Sequence, residues 1–224
     1  MHEFLHFDGK IFLTLKLLVT KPGELTLDYL RGRRARYVSP VRLYLAISVV
    51  YFALMAVAPA PNARFEVTAD DIRTPEQREA IERVQERMRE FRAEFPHQMP
   101  RVLFVLMPLF ALTTWTFYRS RQPYYIPHLY YSIHLHSFAF LVLASGRLLA
   151  FGGRLANALG DLLILAIFAY HYVALRRAFG GTGKEVAWKG TATLLLYLLL
   201  IVAVFTILLI IWVRWVAGTD LHAP

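Results

Sequence analysis

Long apolar stretches alternate along this chain with short segments dense in arginine and lysine. Five of the stretches approach or exceed the roughly 20 residues that a helical crossing of a bilayer needs: 41–59, 101–118, 129–151, 156–175 and 188–217. The last is longer than one crossing requires, so it must tilt or project beyond the membrane. The pattern predicts an all-α integral membrane protein. A bundle of about five transmembrane helices occupies 41–224, an interfacial amphipathic region precedes it at 1–40, and one extramembrane amphipathic helix lies at 75–95.

Two short helices are expected in the N-terminal region. Over 10–20, Ile11, Phe12, Leu15, Leu18 and Val19 share one arc and Lys10, Thr14, Thr20 and Lys21 the other, with Leu13 and Leu17 intruding on the polar side. Pro22-Gly23 breaks the chain, and a second helix of a turn or two runs over 24–30, with Gly32 suited to its C-terminal end. Ser39-Pro40 opens the first span, serine as N-cap and proline at the first helical position.

The helix at 75–95 opens on Thr74-Pro75-Glu76-Gln77, a capping-box pattern, and Pro96 is expected to end it. Ile81, Val84, Met88, Phe91 and Phe95 recur at steps of three and four, which places them on one narrow stripe, the a/d seam of a coiled coil. Such a seam serves either to fold the helix onto the bundle or outer leaflet, or to meet a partner or a second copy of the chain.

Composition agrees with a membrane chain: 57% of residues are hydrophobic and 18% charged, against about 45–50% and 25% in soluble domains. The net charge of +9 belongs to segments facing lipid headgroups rather than to nucleic-acid binding, because no basic recognition helix or aromatic RNA platform is visible. Basic residues concentrate before the first span (among them Arg31, Arg33, Arg34, Arg36 and Arg42) and between the second and third and the fourth and fifth. The positive-inside rule then sets the N-terminus in the cytoplasm and the C-terminus outside, in a bacterial inner membrane. The long 59–100 segment, on the outer side, is net negative. The opening MHEFLHFDG carries Glu3 and Asp8 and lacks a basic start and an apolar core, so no signal peptide is expected.

Chemistry has few places to reside. With no cysteine, disulfides and thiolate metal sites are excluded. His128, His134, His136 and His171 fall at one depth, where imidazole could ligate haem or a transition metal, meet a quinone, or relay protons. Helix geometry restrains that reading. His134 and His136 point about 200° apart, and His128 and His136 are about 12 Å apart along the axis. A site would need a cross-helix pair such as His136 with His171; otherwise these rings serve as hydrogen bonds between helices. Asp161 with Arg147 and Arg154 suggests an ion pair near the outer face. Gly180-Gly181-Thr182-Gly183-Lys184 is no phosphate loop, because Ala178 stands where a glycine is required and Glu185 where Ser or Thr is. It is a turn between helices. No catalytic constellation is present, so no catalytic residue is assigned and the identity of any metal stays open.

Lys21-Pro22-Gly23-Glu24, then Asp28-Tyr29-Leu30-Arg31-Gly32-Arg33-Arg34-Ala35-Arg36-Tyr37-Val38-Ser39-Pro40, resembles a bacterial membrane family known as domain of unknown function 3667. Tyr124-Tyr125-Ile126-Pro127-His128-Leu129 with His134-Leu135-His136-Ser137-Phe138, and Leu175-Arg176-Arg177-Ala178-Phe179-Gly180, resemble it too. The resemblance implies a polytopic inner-membrane protein with no established activity. Many such proteins open on a cysteine-rich zinc-ribbon segment, which this cysteine-free chain lacks.

Three functional readings follow. The first is a non-enzymatic scaffold or accessory subunit that engages membrane lipids through its basic face and a protein partner, or its own copy, through the outer seam. The second is a cofactor-, metal- or proton-handling protein built on the four histidines. The third, a small-molecule transporter, would want internal repeats or broken helices, and neither is found.

Overall fold

The computed structural model describes residues 2–57, 74–149 and 154–220. Among them are seven α-helices and one short 3-10 turn, with no strand. The helices are α1 (His2–Thr20), α2 (Glu24–Leu30), α3 (Pro40–Val57), α4 (Pro75–Tyr118), α5 (Tyr125–Leu149), α6 (Arg154–Phe179) and α7 (Gly183–Asp220), and the 3-10 turn is Arg34–Arg36. Among the described residues five segments are long and apolar enough to cross a membrane: Arg34–Met55, Arg101–Tyr118, Tyr125–Leu149, Leu162–Phe179 and Gly183–Ile211. The chain is an all-α membrane bundle.

Helix α5 is its axis, packing against α3, α4 and α6 and receiving α1 and α2 at its N-terminal end. Helices α4 and α7 run antiparallel: Phe110 meets Tyr197 with ring centroids 4.8 Å apart, and Phe117 meets Trp188 at 5.9 Å. The C-termini of α4 and α6 therefore share one end of the bundle with the N-termini of α5 and α7. Burial is greatest toward that end, where Tyr118, His128, Tyr131, His171 and Leu175 are almost wholly enclosed. Away from it α7 leaves its neighbours. Ile207 to Ile211 are each 41–58% exposed, and five consecutive residues sweep more than a full turn, so the described residues cover no face of this part.

Several expected boundaries shift. Helix α1 begins at His2, not at Lys10, and its buried side differs from the predicted arc. Thr14 and Leu18 are enclosed, whereas Phe12 is 71% exposed and Val19 49%. Thr14 enters the core because both its bonds are met there: its hydroxyl donates to the Lys10 carbonyl at 2.6 Å and accepts the Val38 N–H at 3.1 Å. The third, fourth and fifth apolar helices also reach further toward the basic end than predicted, starting at Tyr125, ending at Phe179 and starting at Gly183.

The largest correction concerns Pro96. It does not end the outer helix, and α4 runs unbroken from Pro75 to Tyr118 through Pro96, Pro100 and Pro108. A proline removes one backbone donor and crowds one turn, which stops a helix only when the far side has no reason to continue. Here the far side is a span, and an apolar segment in lipid must satisfy its own backbone as helix. The predicted extramembrane helix is thus an extension of the second span.

The other local signals act as physical chemistry requires. Gly32, at φ 77°, closes α2 in a Schellman arrangement: its N–H reaches the Tyr29 carbonyl at 3.1 Å and the Arg33 N–H reaches that of Asp28 at 2.9 Å. Pro40 opens α3, and the Ser39 carbonyl accepts the Leu43 N–H at 3.0 Å. Gly180 and Gly181 take positive φ in the turn before α7, and the Thr182 hydroxyl accepts the Glu185 N–H at 3.3 Å.

Candidate functional site

Each of the four core histidines meets a different partner. His134, on α5, is hydrogen-bonded through Nδ1 to the Thr26 hydroxyl of α2 at 2.9 Å. His136, two residues on and turned away, bonds through Nδ1 to the Ser132 carbonyl at 2.8 Å and through Nε2 to the Tyr197 hydroxyl of α7 at 3.0 Å. A carbonyl only accepts, so in the neutral ring Nδ1 carries the proton and Tyr197 donates to Nε2. His171, on α6, faces the Gly190 carbonyl of α7 with Nε2 at 3.3 Å and the Tyr131 hydroxyl of α5 with Nδ1 at 2.9 Å. By the same logic Nε2 carries its proton.

The pairing of His136 with His171 that a shared site would need is absent. Phe110 stands between them, its ring centroid 5.5 Å from one and 5.9 Å from the other. Both nitrogens of each ring are already committed to protein groups, so neither offers a lone pair to an ion without giving up a tie between helices. Among the described residues no three His, Cys, Asp or Glu side chains gather to hold a metal. His128 differs. Its Nε2 faces the Gln122 carbonyl at 3.0 Å, its ring stacks on Phe179 at 4.5 Å, and its Nδ1 is buried without a partner among the described residues, as is the Tyr118 hydroxyl.

A second polar cluster lies in the N-terminal cap. Asp28 is 5% exposed. Its Oδ1 accepts from Arg33, at 3.0 Å from Nε and more closely from Nη2, and its Oδ2 accepts from the Tyr37 hydroxyl. Burial alone would raise the carboxyl pKa. The Tyr37 and Arg33 hydrogen bonds and the Arg33 charge outweigh burial and hold it below the usual carboxylate range. The cap is latched to α6 as well: Arg177 donates to the Pro22 carbonyl at 2.8 Å and lies 3.9 Å from the Glu24 carboxylate. Glu185, at the start of α7, holds Arg121 at 2.6 Å and Lys189 at 2.8 Å.

Of the predicted residues, Arg31, Arg34, Arg36 and Arg42 are exposed at the basic end, whereas Arg33 is taken by Asp28. Ile81 is half-buried, and the side chains of Val84, Met88, Phe91 and Phe95 lie outside the described residues. So do those of Asp161 and Arg154, and with them the suggested ion pair to Arg147.

Sequence reasoning passed over Tyr131, Tyr197, Thr26 and Asp28. Tyr131 is 1% exposed. Its spacing of three from His128, on one helix face, was the available signal. Asp28, Arg33 and Tyr37, by contrast, meet only through the Gly32 turn, which no periodicity reports.

A family model described as a protein of unknown function (DUF3667) matches residues 8–52. The match spans the cap and most of α3, the first of the three segments that resemble the family. No curated protein matches the chain. No solved structure matches it.

Proposed function

We propose that this chain is a non-enzymatic scaffold of a bacterial inner membrane, its basic end cytoplasmic, where it gathers anionic lipid headgroups. One observation carries the reading. The carboxylates described at the basic end are all consumed within the protein, Asp28 by Arg33, Glu24 by Arg177 (3.9 Å) and Glu185 by Arg121 and Lys189. That leaves Arg31, Arg34, Arg36, Arg42, Arg119 and Arg176 exposed with no carboxylate partner among the described residues. Cations near a membrane surface attract anionic lipid by about 1 kcal/mol each. The histidines support the same reading: His134, His136 and His171 tie one helix to another, as expected of rings that hold a bundle together. The outer part of α4, continuous in one helix with its span, is the surface for a protein partner.

The test is lipid selectivity. The tryptophans of the reconstituted protein are quenched by brominated phosphatidylglycerol or brominated phosphatidylcholine. The anionic lipid is expected to bind several-fold better, and Arg34→Gln/Arg36→Gln/Arg119→Gln to reduce the preference, as does added salt. Equal quenching by both lipids at low salt sinks the proposal.

The unpartnered Nδ1 of buried His128 favours a second reading, in which this ring accepts a bond from a bound molecule. Elemental analysis and a visible spectrum of the purified protein beside His128→Ala decide it: a metal or chromophore lost in the variant would displace the scaffold.

A further inference from the structure

The exposed side of α3 bears a shallow groove of about 510 Å³ lined by Ser39, Val41, Arg42, Leu45, Ala46 and Val49. Ser39, Arg42, Ala46 and Val49 follow one another at steps of three, four and three and so form a single stripe, flanked by Val41 and Leu45. Ala46 makes the notch, since its methyl group is the smallest side chain between Arg42 and Val49. One end of the groove is polar and the remainder apolar.

We infer that α3 holds one anionic phospholipid, its phosphate at Arg42 and Ser39 and an acyl chain lying over Ala46. This deepens the reading of the basic end as a lipid-gathering face and rests on it. Length fits: the ten steps from Ser39 to Val49 rise about 15 Å, half of the roughly 30 Å hydrocarbon core, so the stripe carries one chain from headgroup toward midplane. Charge fits as well. Neither the Arg42 guanidinium nor the Ser39 hydroxyl has a protein partner among the described residues, and the buried carboxylate of this region, Asp28, is held by Arg33 and Tyr37. Arg36, exposed in the 3-10 turn that precedes α3, is a further cation of the same end. None of the residues lining the groove carries a carboxylate to receive the quaternary ammonium of a zwitterionic lipid, so the site selects an anionic one. A second helix fits the stripe poorly, because close packing in lipid wants small residues repeated four apart and Ala46 is followed by Val50.

The experiment is native mass spectrometry of the full-length protein in detergent, titrated with phosphatidylglycerol or phosphatidylcholine. Wild type is expected to take up a first phosphatidylglycerol at about tenfold lower lipid concentration than phosphatidylcholine. Ala46→Leu, which fills the notch with a side chain lipid tolerates, and Arg42→Gln should each abolish that first step. Leu165→Trp, on the exposed face of α6, should leave it unchanged. If Ala46→Leu keeps the first step, or instead removes a dimer, the α3 site is overturned. The lipid selectivity seen by quenching would then survive or fall independently, since it reads the whole basic end.

Discussion

Thr26 and His134 lie 108 residues apart in sequence and 2.9 Å apart in the fold, joined by a hydrogen bond with almost no exposure on either side. The bond joins the cap to the axial helix. Thr26→Val leaves a buried ring nitrogen without its partner, at a cost of about 1–3 kcal/mol. A double-mutant cycle with His134→Phe, followed by thermal unfolding in detergent, should return a coupling of about 0.5–2 kcal/mol. A coupling of zero would mean that shape alone seats the cap.

Gly23 and Gly32 bracket α2 at nearly the same dihedral, φ 79° and 77°, yet they should respond differently to alanine. A Cβ on Gly23 would lie 2.7 Å from the Ala174 carbonyl oxygen and 2.9 Å from its Cα, backbone atoms that cannot step aside, while one on Gly32 meets nothing within 4 Å. Gly32→Ala carries only the left-handed backbone penalty, about 1–2 kcal/mol. Gly23→Ala adds an overpacking term of about 1–3 kcal/mol and pushes α2 off α6. Melting temperatures of the two variants check the order, and equal losses would show that Gly23 does not touch α6 in the working protein.

The two glycines also show where the sequence was readable. Spans, caps and turns rest on signals within a few residues, and they are where local chemistry puts them: Ser39-Pro40 opens α3, Gly32 closes α2, and Arg31–Arg42 collects cations at one end. Two kinds of feature were not readable. Pro96 is a local stop signal overruled by the span that follows it. The histidine partners depend on which helices adjoin, so His136 finds Tyr197 and His171 finds Tyr131 at separations of 61 and 40 residues. Periodicity assigns a residue to a helix face and does not name what that face meets.

Asp28 should make the stability of the cap depend on pH. Its carboxyl is held below the ordinary value of about 3.9, so the native state binds this proton more weakly than the unfolded chain. The resulting stabilisation is fully present above the ordinary value and is lost as pH falls through the lower, native one. Asp28→Asn removes it at every pH. The gap in melting temperature between wild type and Asp28→Asn should therefore be widest near neutrality and close below about pH 4. A gap that stays constant down to pH 3 would mean that Asp28 is not ionised in the fold.

Because the chain has no cysteine, single introduced thiols report its sidedness cleanly. Glu86 and Lys184 are both exposed. Glu86 sits on the N-terminal part of α4, and the Arg101–Tyr118 span separates it from Arg121, which binds Glu185 beside Lys184. The bundle therefore requires Glu86→Cys and Lys184→Cys to lie on opposite faces of the membrane, whichever way the chain is inserted. The positive-inside rule adds the direction. In intact spheroplasts a membrane-impermeant maleimide should modify Glu86→Cys and spare Lys184→Cys until the membrane is opened. The reverse pattern would keep the bundle and move the basic end outside, away from the anionic cytoplasmic leaflet on which the lipid-gathering role depends. Labelling of both from one side would break the fold itself, since α4 could not then be one helix crossing the membrane between them.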